Sequence, residues 1–303
     1  MERRFTLRNG IEIPQIGYGS AIVLTYMYDK YSNKTIIKYW VKNILKNKAQ
    51  VKKDRGLKKI LQADFLSKPL LIDTSRAYAG SEKMIGDAIR KNGRENFFIT
   101  TKVCNNHQYS ETVEEGLNES LRNLGTNYVD LYLMHWPVSE RYIDTWKKME
   151  KIYKEGKVKA IGVCNCNIRH LEEIKKNAEI MPMVNQFECH PLFTQKELVE
   201  YCANNDIQVM SYTPTGRMDE RLSKTVIPKL AEKYKKNNAQ IIIKWHIQTG
   251  KIPIVNTSNV EHFQENFDVY DFQLLAEEIE AIDKININSR LRYDPENCDF
   301  TQL

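Results

Sequence analysis

Six polar or titratable side chains each stand at the end of a short apolar run. Asp73 closes Leu70-Leu-Ile, Lys102 closes Phe97-Phe-Ile-Thr-Thr, and His135 follows Tyr128-Val-Asp-Leu-Tyr-Leu-Met134. Asn165 lies just beyond Val158-Lys-Ala-Ile-Gly-Val163, Gln186 ends Val184-Asn, and Tyr212 follows Ile207-Gln-Val-Met-Ser211. A carboxylate, an ammonium and an imidazole are groups that hold or pass a proton. A primary amide offers a donor and an acceptor side by side, and an aromatic ring offers a flat face. Metal chemistry has less support: Cys164-x-Cys166 lacks the two-residue gap of common zinc and redox pairs, and no second pair follows it. No metal is expected.

Such residues act together only if something brings the run ends to one place. Seven apolar runs are each followed by a helical pattern: Leu70–Asp73 by 82–91, Phe97–Lys102 by 111–124, Tyr128–Met134 by 140–155, Val158–Val163 by 168–177, Val184–Gln186 by 195–205, Ile207–Ser211 by 221–236, and Ile252–Val255 by 259–266. An eighth strand is available at Ile16-Gly-Tyr-Gly19, with a helix near 56–66 after it. Eight strand–helix units without a flexible linker predict an α/β fold, a closed (β/α)8 TIM barrel. An open doubly wound sheet is the alternative, but no G-x-G-x-x-G follows any strand. In a barrel of this kind the C-terminal strand ends form one face, which is where all six residues fall. At the start, Phe5–Arg8, Asn9-Gly10 and Ile11–Ile13 predict an N-terminal β-hairpin with a tight primed turn.

The 303 residues suit one barrel domain, with 42% apolar and 28% charged types. No run approaches the ~18 apolar residues of a membrane span, and Met1–Gly10 has no apolar stretch behind its charges. A cytoplasmic protein with reduced thiols among its six cysteines is expected. The net charge of +6 is unevenly spread: Lys30–Lys68 holds twelve basic and two acidic residues, leaving the rest at −4. Lys30, Lys34, Lys38, Lys42 and Lys46 recur every fourth residue beside Ile36, Ile37, Trp40, Val41, Ile44 and Leu45. That pattern predicts an amphipathic helix near 34–47, within a basic helical insertion at about 26–55 after the first barrel strand. Without a stacking platform or a nucleic-acid motif it reads as a solvated face or an anion-attracting surface, and no nucleic-acid partner is expected.

Several strings resemble the aldo-keto reductase superfamily: Leu71-Ile-Asp73-Thr-Ser-Arg-Ala-Tyr78-Ala-Gly-Ser-Glu82, Ile99-Thr-Thr-Lys102-Val, Asp130-Leu-Tyr-Leu-Met-His135-Trp-Pro137, Gly162-Val-Cys-Asn165, Val184-Asn-Gln186-Phe-Glu-Cys-His-Pro191 and Ser211-Tyr212-Thr-Pro-Thr-Gly216. The resemblance runs from about Phe5 to Phe300, except the basic segment. It implies a catalytic tetrad of Asp73, Tyr78, Lys102 and His135. Elementary chemistry agrees with those roles. A phenol with a free pKa near ~10 is brought toward neutrality by a nearby ammonium, so Lys102 would tune Tyr78 as general acid while Asp73 holds Lys102. His135 would donate a hydrogen bond to the substrate oxygen.

The resemblance further implies NADP(H) or NAD(H) as cofactor, with the nicotinamide carboxamide on Asn165 and Gln186 and its ring on Tyr212. Ser20, Gly216, Asn256, Thr257, His262, Glu265 and Asn266 complete the implied cofactor set, and Ala21 and Trp136 the substrate pocket. Departures from the family pattern are informative. Cys164 stands where a small hydroxyl residue is usual, and Ala21 where a pocket tryptophan is expected. Asn256 and His262 stand where Lys and Arg usually grip the adenosine 2′-phosphate. Neither brings fixed positive charge, so a weakened grip on that phosphate is expected. The short tail Asn288–Asn297 implies an open pocket.

The leading expectation is an NAD(P)H-dependent oxidoreductase reducing an aldehyde or ketone, its partner a small carbonyl compound, as a monomer or dimer. A nicotinamide-binding regulatory or scaffold subunit that docks through the basic insertion is the alternative. A hydrolase or isomerase on the same barrel is a third reading, without a supporting motif.

Overall fold

The strand ends do converge. A computed structural model describes residues 4–21, 48–62, 69–78 and 80–297, with 48–53 as backbone only. The lysine stripe of the expected 34–47 helix, and Cys298, lie outside the described residues. Strands β3 (Gly17–Gly19), β4 (Leu70–Asp73), β5 (Phe97–Val103), β6 (Leu131–Met134), β7 (Ile161–Cys164), β8 (Val184–Glu188), β9 (Gln208–Tyr212) and β10 (Lys251–Val255) close into a parallel barrel. The ring closes where Ile254 and Val255 of β10 pair with Gly17 and Tyr18 of β3. Every residue of β4 through β8 is buried, as expected of a parallel sheet covered on both faces. The chain is a (β/α)8 TIM barrel.

Around the barrel run α1 (Lys48–Leu61), α2 (Ser81–Asn92), the short α3 (Asn105–Tyr109), α4 (Val113–Leu124), α5 (Tyr142–Lys154), α6 (Ile168–Asn177), α7 (Lys196–Asn204), α8 (Ile227–Tyr234), α9 (Asn238–Gln248), α10 (Val260–Phe267) and α11 (Ala276–Asp283). Among the described residues no helix is long and apolar enough to cross a membrane.

Four differences from the expected elements have physical causes. The first barrel helix starts at Lys48 rather than near 56, so residues 48–55, assigned above to the insertion, belong to the barrel. Gly56 is not a helix start but a point of close approach: a Cβ there would lie 2.0 Å from the Ser258 carbonyl oxygen. The expected helix over 221–236 is split into a 3₁₀ turn at Glu220–Lys224 and α8, which starts with Pro228 in its first turn, where no N–H is needed. Helix α9 was not expected at all. Gln240 through Ile247 are all buried, the polar Gln240, Lys244 and His246 included, so no contrast between a solvated and an apolar side marks its period.

The fourth concerns the hairpin β1 (Arg4–Thr6) and β2 (Glu12–Pro14). Its turn is not a two-residue primed turn. Gly10 N–H donates to Leu7 O and Leu7 N–H to Ile11 O, both at 2.8 Å, and Gly10 alone takes a positive φ of 83°. This is a three-residue loop with a glycine bulge. Ile13 is fully buried, Arg8 Nε donates to Asp206 O at 3.1 Å, and Asn9 Nδ2 donates to Lys159 O at 2.9 Å. Asp206 and Lys159 precede β9 and β7, so the hairpin is fastened across the N-terminal end of the barrel.

Candidate active site

At the opposite end, Lys102 is held in a fully buried position by three acceptors. Its Nζ donates to Asp73 Oδ1 at 2.7 Å, to Asp73 Oδ2 at 2.8 Å and to Thr74 O at 2.9 Å. Burial opposes the ammonium charge, but Asp73, Tyr78 and Cys164 together outweigh it and the Lys102 pKa is raised above the ordinary lysine value. Removing either partner would strand the other charge in the interior, at a cost of about 3–5 kcal/mol.

Tyr78 follows on the loop after β4. Its N–H donates to Ser75 O at 2.9 Å, closing a turn that aims the phenol back over the barrel. Lys102 Nζ lies 5.1 Å from the Tyr78 ring centroid, and the His135 ring packs edge-on against it at 5.7 Å. The acidity of the phenol differs from the sequence expectation. Lys102 pulls the Tyr78 pKa down, but burial is the larger influence and leaves it pushed up to about 12. His135 moves the other way: burial, helped by the Lys102 charge, holds its pKa well below the usual histidine value. At neutral pH the site therefore presents a protonated phenol and a neutral imidazole beside a fixed ammonium.

Two amides complete the floor on neighbouring strands. Gln186 Nε2 donates to Asp73 Oδ1 at 2.7 Å, and the Cys164 thiol donates to Gln186 Oε1 at 3.5 Å. Asn165 Nδ2 donates to His135 O at 3.1 Å and contacts Cys164 Sγ at 3.3 Å, while its Oδ1 accepts from the Tyr212 hydroxyl at 2.6 Å. Asn165 adopts a left-handed φ of 62°, a conformation asparagine tolerates better than most residues. The sulfur at 164 thus bridges both amides. Burial pushes its thiol up to about 12, which keeps it protonated.

The remaining expected residues fall into two groups. The buried Ser20 hydroxyl donates to Asp73 O at 3.0 Å, bracing the end of β4, and Ala21 is exposed beside it. Trp136 is buried, its ring 6.4 Å from that of His135. Gly216 has a φ of 57° and lies against His190, whose ring atoms would be 3.4 Å from an added Cβ. Asn256 is exposed in the loop before α10, His262 and Glu265 are exposed on that helix, and Asn266 is half-buried. Thr257 O accepts from the Tyr18 hydroxyl at 2.7 Å, anchoring the loop that carries them.

Two residues were missed. Ser75 Oγ lies 3.3 Å from His135 Nδ1. Glu188 is fully buried and accepts from Leu291 N–H at 2.6 Å, Arg292 N–H at 3.0 Å and the His190 ring at 3.0 Å. The sequence signals for Glu188 were its place in the Val184–Pro191 string and its position two residues beyond Gln186, on the same strand face. Among the described residues no cluster of His, Cys, Asp or Glu is disposed to hold a metal ion.

A profile of the Aldo/keto reductase family matches residues 46–287. The 9,11-endoperoxide prostaglandin H2 reductase of Trypanosoma cruzi is 43% identical over 230 residues, 75% of this chain and 81% of that protein. Glyoxal reductase of Bacillus subtilis is 42% identical over 231 residues, 76% of this chain and 83% of that protein. A Bombyx mori aldo-keto reductase solved in complex with NADP superposes with a TM-score of 0.80 at 28% identity, covering 100% of this chain and 98% of that one.

Proposed function

The chain belongs to the Aldo/keto reductase family, and from that premise we propose that it reduces a small aldehyde or ketone to its alcohol, with Tyr78 giving the proton. The observation that carries this reading is the packing of a protonated phenol between the buried Lys102–Asp73 pair and a neutral His135. Asn165 and Gln186 on adjacent strands, beside the ring of Tyr212, are a donor and acceptor set that fits an aromatic ring bearing a carboxamide. When bound there, a reduced nicotinamide supplies the hydride that reaches the carbonyl carbon.

The chain's own groups do the rest. His135 donates a hydrogen bond to the carbonyl oxygen and sets its position. Tyr78 transfers its hydroxyl proton to that oxygen as negative charge develops there, and Lys102, held by Asp73, stabilises the phenolate left behind. A role in binding alone would not need an ammonium buried beneath a phenol, which favours catalysis over the scaffold reading.

The loop at 256–262 bears no fixed cation at the positions that face the 2′-phosphate in the family pattern. We therefore read the enzyme as using NADH comparably with NADPH, or in preference to it. The direct test of the reaction is loss of nicotinamide absorbance with a panel of aldehydes, in wild type and Tyr78→Phe. The substitution is expected to lower kcat/KM by ~10²–10⁴-fold, the usual contribution of a general acid; equal rates would remove Tyr78 from the mechanism.

A further inference from the structure

We propose that Ser75 is a positioning residue that fixes His135 as the tautomer carrying its proton on Nε2. The proposal rests on the reading of His135 as the hydrogen-bond donor to the carbonyl. A neutral imidazole has one N–H and one bare nitrogen, and which is which is set by the partner of the ring's other nitrogen. His135 is neutral here, so its use as a donor depends on the tautomer.

The local hydrogen bonds leave one assignment with every group satisfied. Ser75 is fully buried, and its hydroxyl offers one donor and two acceptor positions. Ala77 N–H donates into Oγ at 3.1 Å, which takes one acceptor position. His135 Nδ1, at 3.3 Å, is the other recorded neighbour of Oγ. If Nδ1 bore the proton, it would occupy the second acceptor position and leave the hydroxyl proton without an acceptor among the described residues. A buried donor left without an acceptor is disfavoured, because it loses its bond to water and gains none. If Nδ1 is bare, the hydroxyl donates to it, Ala77 keeps its acceptor, and the proton goes to Nε2. Among the described residues Nε2 has no protein partner, so its N–H is free for a ligand oxygen.

Ser75 therefore serves two catalytic groups at once. Its carbonyl closes the turn that presents Tyr78, and its hydroxyl selects the donor face of His135.

The tautomer is read directly, without cofactor or substrate, from long-range proton–nitrogen correlations in ¹⁵N-histidine-labelled protein. The chain has six histidines, and His135→Gln identifies the relevant signals. Wild type is expected to show a protonated Nε2 and a bare Nδ1. Ser75→Ala is expected to shift the ring toward Nδ1–H and to lower kcat/KM for carbonyl reduction by ~10-fold, about the worth of one hydrogen bond. Ser75→Thr keeps the hydroxyl and should restore both. A wild-type spectrum with the proton on Nδ1 overturns the proposal even if no variant folds, and so does a tautomer unchanged in folded Ser75→Ala. Unimpaired turnover by Tyr78→Phe would instead refute the reduction mechanism and leave the tautomer assignment standing.

Discussion

At Tyr78 two physical effects of opposite sign meet. The neighbouring ammonium favours the phenolate, while the closed surroundings favour the phenol, and the surroundings prevail with a pKa pushed up to about 12. The sign has a consequence for rate. Carbonyl reduction consumes the protonated form, which this raised pKa keeps fully populated, so Tyr78 should impose no decline in kcat/KM between about pH 6 and 9. Alcohol oxidation needs the phenolate, whose fraction rises ~10-fold per pH unit below the pKa, so the reverse rate should still be climbing at about pH 9. Steady-state profiles in both directions check this; a reduction rate falling ~10-fold per unit above neutrality would assign Tyr78 a far lower pKa. The residue types and the strand-end positions of Asp73, Lys102, His135, Asn165, Gln186 and Tyr212 were readable in the sequence, because a parallel barrel gathers its strand ends. The net acidity of Tyr78 was not, because burial depends on every element that surrounds it. Nor was Ser75 visible, since a serine in a loop is commonplace until an imidazole is found beside it.

Among the elements, β8 joins the most functions. Gln186 reaches the Asp73 carboxylate from one register position, and two residues later Glu188 holds the backbone of Leu291 and Arg292. The tail is tied down at further points. Ser289 N–H donates to Leu192 O at 3.0 Å, and Arg169 Nε donates to Glu296 at 2.6 Å. Glu188→Gln would turn one acceptor oxygen into a donor facing a backbone N–H, exchanging a hydrogen bond for a repulsion. The expected outcome is faster hydrogen exchange at Leu291 and Arg292, with KM for the carbonyl raised several-fold and kcat less affected. Unaltered exchange at both amides would show that the carboxylate does not restrain the tail. Elements with a solvated polar face were legible, as at α4 and α6, whereas α9 buries its polar residues with its apolar ones and had no such face to betray it.

For the whole molecule, charge is divided between a strongly basic segment and a mildly acidic remainder. The exposed Asn256 and His262 fall in that remainder, where the family pattern expects cations. Fluorescence titration with both dinucleotides should give dissociation constants within about tenfold, a difference of about 1.4 kcal/mol; a hundredfold advantage for NADPH would mean that other groups supply the missing charge. The closed ring and its order of units were legible because repetition leaves few topologies. The extent of α1 was not, because Gly56, near which the expected helix began, is required inside it by the close approach of the Ser258 loop.

The hairpin fastened beneath the cylinder has its own consequence. It covers the end of the packed cylinder that lies away from Lys102, Asp73 and Gln186. Reactant, product and displaced water are left with the opposite face, where Glu188 holds Leu291 and Arg292, so the tail stands beside departures as much as arrivals.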